Sequence, residues 1–125
     1  MIVCITVTPD GQTGGGWGKA YRVALATLTD GAITDWQEID VGWDVAHDEG
    51  TEGSHHARIA RFLIDNQVDA VVAGHMGPPT AQMLGKMRID TVFGAAGDAR
   101  AAVLAATAQL DLFPLPSQER HIGAT

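Results

Sequence analysis

The chain has 125 residues, of which 46% are apolar, and a formal net charge of −7. This length suits one domain with a substantial core, the apolar content excludes general disorder, and no apolar run approaches the about 18 residues that a membrane-spanning helix needs. Because the eight lysines and arginines are scattered along an acidic chain, we expect neither nucleic acid nor a membrane as a partner.

The N-terminal segment and the cysteine content indicate the cellular compartment in which we expect the protein. Residues 1–7 are apolar from the start and lack the basic leader of a signal peptide, so they are interpreted as a strand. The single cysteine, Cys4, forms no internal disulfide and excludes all-cysteine iron–sulfur and zinc sites. We therefore expect a cytoplasmic protein. Packing in the core is the simpler role for Cys4, since ligation would require its thiolate to face a ligand.

The apolar pattern changes its period in an orderly way along the chain. Alternating or continuous apolar runs predict strands over residues 2–7, 21–28, 33–41, 68–73 and 89–93. Helical periodicity predicts helices over residues 54–65, 80–86 and 98–110. A glycine-rich loop over residues 10–18 follows the first strand. The first three strands together are predicted to form an antiparallel meander.

Three hairpin strands followed by alternating helices and strands predict an α/β fold. We expect a ribonuclease-H-like three-layer sandwich around a five-stranded mixed sheet of order 3-2-1-4-5. In this order the loop over 11–18 faces the loop over 74–79 at the switch point, where such sheets bind ligands. Residues 1–110 form the predicted domain, and residues 111–125 are interpreted as a C-terminal tail.

The segment over residues 68–84 suggests a binding site most directly. An apolar strand ends in a glycine turn that carries His75, and a helix with proline in its first turn follows. Ligands lie beyond the carboxyl ends of strands, where helix N-termini present free N–H groups. We predict that Gly74, His75, Gly77 and Pro78 contribute to the site. The plain alternative for His75 is a solvent-exposed loop histidine.

Further histidines lie at a second predicted helix start. Ser54 is a favourable N-cap and would place His55 and His56 in the first turn, where the positive helix end favours a neutral imidazole that is able to bind metal. Adjacent helical residues point about 100° apart, so at most one of the two reaches a shared site. We predict His55, His56 and His75 as metal ligands, although they lack the spacing of a zinc motif. His47 is interpreted more simply as a solvated loop residue.

The glycine-rich loop has both a binding and a structural interpretation. Gly16 and Gly18 would let the backbone approach a bulky anion, Trp17 would wall the pocket, and Lys19 would supply a counter-charge. The alternative is a merely flexible connection. The loop is not a Walker motif, because Ala20 follows Lys19 where serine or threonine is required. The strands are poor in carboxylates and no nucleophile elbow is present, so we do not expect an enzyme.

Three segments carry a family resemblance through their order and spacing. They are Trp17-Gly18-Lys19-Ala20, Gly53-Ser54-His55-His56 and Ala73-Gly74-His75-Met76-Gly77-Pro78, the last followed by Met87-Arg88-Ile89. Together they resemble the dinitrogenase iron-molybdenum cofactor-binding family over roughly residues 1 to 110. Trp17 stands where that family usually has phenylalanine, and the two histidines stand where it is usually rich in glycine. The resemblance implies the sandwich fold, an iron-molybdenum or related metal-sulfur cluster as cofactor, and a cofactor-assembly protein as partner.

Two functions follow as expectations. The first is a small accessory or carrier protein that binds a metal-sulfur cluster or its precursor in a crevice at the C-terminal edge of the sheet. The alternative is a non-metal module that binds a small anion or a protein partner. The alanine-rich stretch over residues 99–108 is either a packed helix face or a homodimer contact.

Overall fold

One mixed sheet organises the molecule. The computed structural model describes residues 1–14, 16–17, 20–43 and 52–112. Within them lie the strands β1 (Ile2–Thr6), β2 (Arg22–Thr29), β3 (Ala32–Asp40), β4 (Ala70–Val72) and β5 (Asp90–Val92). The helices are α1 (Glu52–Asp65), α2 (Pro78–Lys86) and α3 (Ala99–Leu112). None of these helices is long and apolar enough to cross a lipid bilayer.

The strand order is β3-β2-β1-β4-β5, as predicted. β1 pairs antiparallel with β2 and parallel with β4, so that Cys4 lies between Leu25 and Val71. β2 pairs antiparallel with β3, and β4 pairs parallel with β5. The C-terminal ends of β1, β4 and β5 therefore share one edge of the sheet. The chain places β2 and β3 on one side of β1 and then β4 and β5 on the other, so the switch point of the sheet lies at β1.

Successive side chains of β1 point to opposite faces of the sheet and pack into two cores, one on each face. Cys4 belongs to the core covered by α1 and α2. Val3 and Ile5 belong to the core on the opposite face, which α3 covers. The helical contributions to the two cores are Ile59, Leu63 and Leu84 on one face and Ala99, Val103 and Ala106 on the other. Helices thus cover both faces, which confirms the predicted three-layer α/β sandwich.

Several element boundaries differ from the predicted ones. α1 already includes Glu52, so Ser54 lies within the first turn and the prediction that it is the N-cap is wrong. α2 begins at Pro78 after Gly77 as N-cap, since proline fits the first helical turn. α3 continues to Leu112, two residues into the predicted tail. The rest of that tail, residues 113–125, lies outside the described residues.

Helix α1 provides a matched test of this packing. Ile59 is fully buried against the sheet, whereas Ile64 on the outer face is 62% exposed. Ile59→Ala should lower the free energy of unfolding by about 2–5 kcal/mol because it leaves a cavity. Ile64→Ala should change it by less than about 0.5 kcal/mol. Urea unfolding followed by circular dichroism measures both, and equal losses would contradict the assigned orientation of α1.

Candidate functional site

Three loops meet at the C-terminal edge of the sheet. The backbone N–H of Trp17 donates to the carbonyl of His75 over 3.1 Å, and Gly16 forms a parallel bridge with His75. The loop after β5 joins them, since Thr13 donates its N–H to the carbonyl of Gly97 over 2.7 Å. The predicted approach of the glycine-rich loop to the His75 loop is therefore confirmed.

Two glycines of the first loop lie in close contact with residues outside it. A Cβ built on Gly14 would lie 2.9 Å from the Oγ1 atom of Thr6, and one built on Gly16 would lie 3.0 Å from the Nε2 atom of His75. Real Cβ atoms essentially never come as close as the first distance. The loop is thus a fitted part of the structure, with the imidazole of His75 lying against Gly16, and not merely a flexible connection.

Two polar side-chain atoms at this loop are buried. Thr6 is 1% exposed and Trp17 is 3% exposed. Among the described residues, neither the hydroxyl of Thr6 nor the indole Nε1 of Trp17 has a hydrogen-bond partner. A buried polar group without a partner costs about 1–3 kcal/mol. Both groups can donate hydrogen bonds, and both lie close in the chain to the edge where the loops meet.

Thr6 is not among the predicted site residues, although the sequence shows that it is a polar residue at an inward position of an apolar strand. Along β1, Cys4 and Thr6 occupy the same face of the strand, because successive side chains alternate. A hydroxyl at an inward position at the end of an apolar strand is a local exception to the pattern. The tertiary structure adds that Gly14 packs against this side chain, which is 1% exposed.

Aromatic rings anchor the glycine-rich loop in the core. The rings of Trp17 and Trp43 lie 5.2 Å apart between centroids and are tilted by 57°. Trp43 in turn meets Phe62 of α1 edge to face at 5.5 Å. Trp17, predicted as a wall of the pocket, therefore also connects the loop to α1, since offset and edge-to-face ring pairs are favourable arrangements.

The three predicted metal ligands have different environments. His75 is exposed, His55 is buried, and His56 is partly buried with its Nε2 atom 3.4 Å from the hydroxyl of Thr80 in α2. The rings of His55 and His56 lie 6.3 Å apart between centroids. In the part of the chain that the structure describes, no three histidine, cysteine, aspartate or glutamate side chains are grouped so that they could hold a metal ion. Ligation by these histidines stays a prediction.

The start of α2 differs from a typical anion-binding helix end. Gly77 is the N-cap, with φ −65° and ψ 148°, and Pro78 and Pro79 follow. Since proline has no N–H group, the first two helical positions cannot donate to a ligand. A Cβ on Gly77 would meet nothing closer than 3.9 Å. The fold itself thus accepts a side chain at this exposed glycine.

The remaining predicted residues fall into two groups. Gly74 carries the turn before His75, and its carbonyl accepts the N–H of Gly94 over 3.2 Å. Gly18, Lys19 and His47, like the side chain of Ser54, lie outside the described residues.

Cys4 belongs to the core and is not a ligand in this arrangement. Its side chain is fully buried within the core covered by α1 and α2. Burial raises the pKa of the thiol well above its usual range, because the apolar surroundings disfavour the thiolate. The expectation that Cys4 packs rather than binds a metal agrees with this environment.

Solved structures share this architecture. The crystal structure of PH0822 superimposes with a TM-score of 0.67 at 15% identity, covering 86% of this chain and 89% of that one. MJ0327 of Methanocaldococcus jannaschii, provisionally named a dinitrogenase, gives 0.64 at 10% identity, with 87% and 89% covered. TM1290 of Thermotoga, provisionally named a NifB protein of the DUF35 family, gives 0.63 at 14%, with 86% and 87% covered. At these identities the likeness shows the fold alone.

The fold and the three meeting loops define a class of small α/β proteins in which loops come together at the C-terminal edge of the sheet. Within that class, the family model described as dinitrogenase iron-molybdenum cofactor matches residues 1–109. The chain belongs to this family, which confirms the resemblance of its three sequence segments. No curated protein matches the sequence of the chain.

The packing of Gly14 gives a test of the loop. Gly14→Ala should lower the free energy of unfolding by about 1–3 kcal/mol, because the added methyl group overlaps Thr6. Gly85→Ala is the matched control, since Gly85 lies inside α2 with nothing within 4 Å of a new Cβ. This control should be neutral or stabilise by up to about 1 kcal/mol. Chemical unfolding measures both, and an unaffected Gly14→Ala variant would show that the loop does not pack on Thr6.

Proposed function

We propose that this protein is a small carrier or accessory protein that binds a metal-sulfur cluster of the iron-molybdenum type, or a precursor of it, as cargo. The binding site is the edge where the loops of Gly16, His75 and Gly97 meet. Membership of the family supports the kind of cargo. The observation that carries the proposal is the meeting of these loops, in which the N–H of Trp17 donates to the carbonyl of His75 and the exposed imidazole of His75 lies against Gly16. In the same region the Thr6 hydroxyl and the Trp17 indole are buried without partners among the described residues.

The chemistry of these groups suits a cluster better than a bare ion. Sulfide and oxygen atoms of a cluster accept hydrogen bonds, and such bonds tune the stability and potential of metal-sulfur centres. One imidazole can add a bond to metal, and His75 is exposed while its ring is held against Gly16. A cluster surrounded by donors needs few protein ligands. This agrees with a described part of the chain in which no three ligating side chains are grouped.

The charge of the protein bears on how the cargo would be held. With a net charge of −7, the chain repels an anionic cargo at long range. The attraction must then come from short-range contacts at the loops, where N–H and O–H groups act at hydrogen-bond distance. An interaction of this kind fits reversible carriage, in which the cargo is later passed to an assembly partner. In this proposal the protein does no chemistry on its cargo and is not an enzyme.

Anaerobic reconstitution with iron, molybdate and sulfide tests the proposal. After loose metal is removed, the wild-type protein should retain a stoichiometric, coloured species by metal analysis and visible absorption. His75→Ala should weaken its retention by about 10-fold or more, since a metal ligand is lost. His121→Ala is the matched control, because His121 lies beyond the residues that the family model matches.

The opposite results separate the two expected functions. A colourless, metal-free wild-type protein would contradict the carrier function. If phosphate or molybdate alone then raised the melting temperature, the alternative of a small-anion module without metal would take its place. Retention that is unchanged in His75→Ala would remove this histidine from the site.

Gly77 offers a second test that leaves the fold intact. Because its backbone is in an ordinary region and the space around it is open, Gly77→Ala should leave the melting temperature within about 2 °C of the wild type. If the cargo approaches the backbone there, the added methyl group should nevertheless reduce cluster retention. Thermal unfolding and metal analysis of the same samples measure the two effects. Full retention would show that Gly77 does not contact the cargo.

A further inference from the structure

The imidazole of His75 contacts the glycine-rich loop through one face of the ring. A Cβ built on Gly16 would lie 3.0 Å from Nε2, 3.4 Å from Cε1 and 3.8 Å from Cδ2 of this ring. A carbon placed along the lone pair of Nε2 would instead be equally far from the two ring carbons and much farther from them than from the nitrogen. The side-chain position of residue 16 therefore lies over the face of the imidazole, on its Nε2 side.

This geometry separates the contact with Gly16 from the direction in which Nε2 binds. A metal bonded to an imidazole nitrogen lies in the plane of the ring, about 2.0–2.1 Å from that nitrogen. Gly16 lies above the plane, so it does not occupy the position of such a metal. A side chain at position 16 would push against the ring and would also crowd an atom bonded to Nε2, whereas glycine avoids both effects.

The backbone conformation does not by itself call for glycine at position 16. The φ angle of Gly16 lies outside the left-handed region, unlike those of Gly11, Gly94 and Gly97 in the same group of loops. Other residues could adopt the backbone conformation of Gly16. What distinguishes this position is the imidazole of His75, which lies close to the place of the missing Cβ.

The main chain holds the two loops together independently of the imidazole. Gly16 forms a parallel bridge with His75, and Trp17 donates its N–H to the carbonyl of His75 over 3.1 Å. The ring of Trp17 in turn meets Trp43, which is 1% exposed, at 5.2 Å between centroids. Residue 16 is thus a defined support for the ring of His75, an exposed side chain that otherwise has several staggered rotamers.

We propose that Gly16 is a positioning residue for His75, and that it orients the imidazole so that Nε2 is the atom presented to the metal-sulfur cargo. This inference rests on the proposed function and adds the ligating atom and the residue that orients it. It differs from the predicted role of Gly16 as a point where the cargo approaches the backbone, because here Gly16 acts through the imidazole. Residues that orient a ligand contribute to metal affinity without touching the metal.

Gly16→Ala separates this role from stability. The new methyl group would meet the end of an exposed side chain, so the ring should move aside and the melting temperature should stay within about 2 °C of the wild type. The reconstituted cluster should nevertheless be lost to a chelator about 10-fold faster. Gly85→Ala is the matched control, because a Cβ there meets nothing within 4 Å and Gly85 lies inside α2. This control should lose the cluster at the wild-type rate.

NMR spectra of the cargo-free protein show whether the ring moves. In the wild type, nuclear Overhauser effects should connect the α-protons of Gly16 to the ring protons of His75. In Gly16→Ala the ring signals of His75 should shift, because the methyl group displaces the imidazole. Absence of these effects in the wild type, or unchanged ring signals in the variant, would overturn the proposal.

A double variant distinguishes positioning from direct contact with the cargo. If Gly16 acts through the imidazole, adding Gly16→Ala to His75→Ala should change the rate of cluster loss by less than about 2-fold. An equal effect of Gly16→Ala in both backgrounds would mean that residue 16 contacts the cargo itself, and wild-type retention in Gly16→Ala would be equally contrary to the proposal. A wild-type protein that retains no cluster would contradict the carrier function, whereas the NMR comparison would still decide whether Gly16 orients His75.

Discussion

The close approach of the glycine-rich loop to the end of β1 is the constraint on which the candidate site depends. The loop can reach the sheet because Gly14 and Gly16 have no side chains to keep it away from Thr6 and His75. The hydrogen bond from Trp17 to the carbonyl of His75 then joins the two loops. Close backbone packing of this kind permits little displacement, since interiors are nearly as dense as crystals. The imidazole of His75 is exposed, yet it lies against Gly16 of the neighbouring loop.

This arrangement buries two polar side-chain groups, although burying such groups in an apolar core is unfavourable. The Thr6 hydroxyl and the Trp17 indole have no partner among the described residues, and a buried polar group without a partner lowers the stability of the fold. The contacts of the Trp17 ring with Trp43, and of Trp43 with Phe62, hold the loop in place in spite of that cost. Departures from consistent packing are expected at functional sites.

The same sheet explains why the molecule has a second unusual surface. Helices α1 and α2 share one face of the sheet, whereas α3 is the one helix on the other face within the described residues. A single helix is narrower than five strands, so the side of β5 next to α3 is left partly open. The apolar outer side of α3 adjoins this opening. One feature of the layer architecture thus leaves an apolar surface beside the loops of the site.

The sequence by itself determined the order and type of the elements, and it placed the family's three segments along them. Periodicity suffices for this, because apolar side chains must face the core with a period of two in strands and about 3.6 in helices. Periodicity was less accurate at the ends of helices, where capping interactions determine the first and last residues. Ser54 looked like an N-cap, but α1 already includes Glu52.

Only the tertiary structure decided which residues meet at the edge. Gly16 and His75 are far apart in the chain, and His56 and Thr80 lie 24 residues apart. No local pattern records such contacts. The sequence likewise left open whether the alanines of α3 pack inward, and the fold places Ala101, Ala105 and Ala108 on the outside. Local propensity acts within a few residues, whereas burial, missing partners and close approach are properties of segments that the fold brings together.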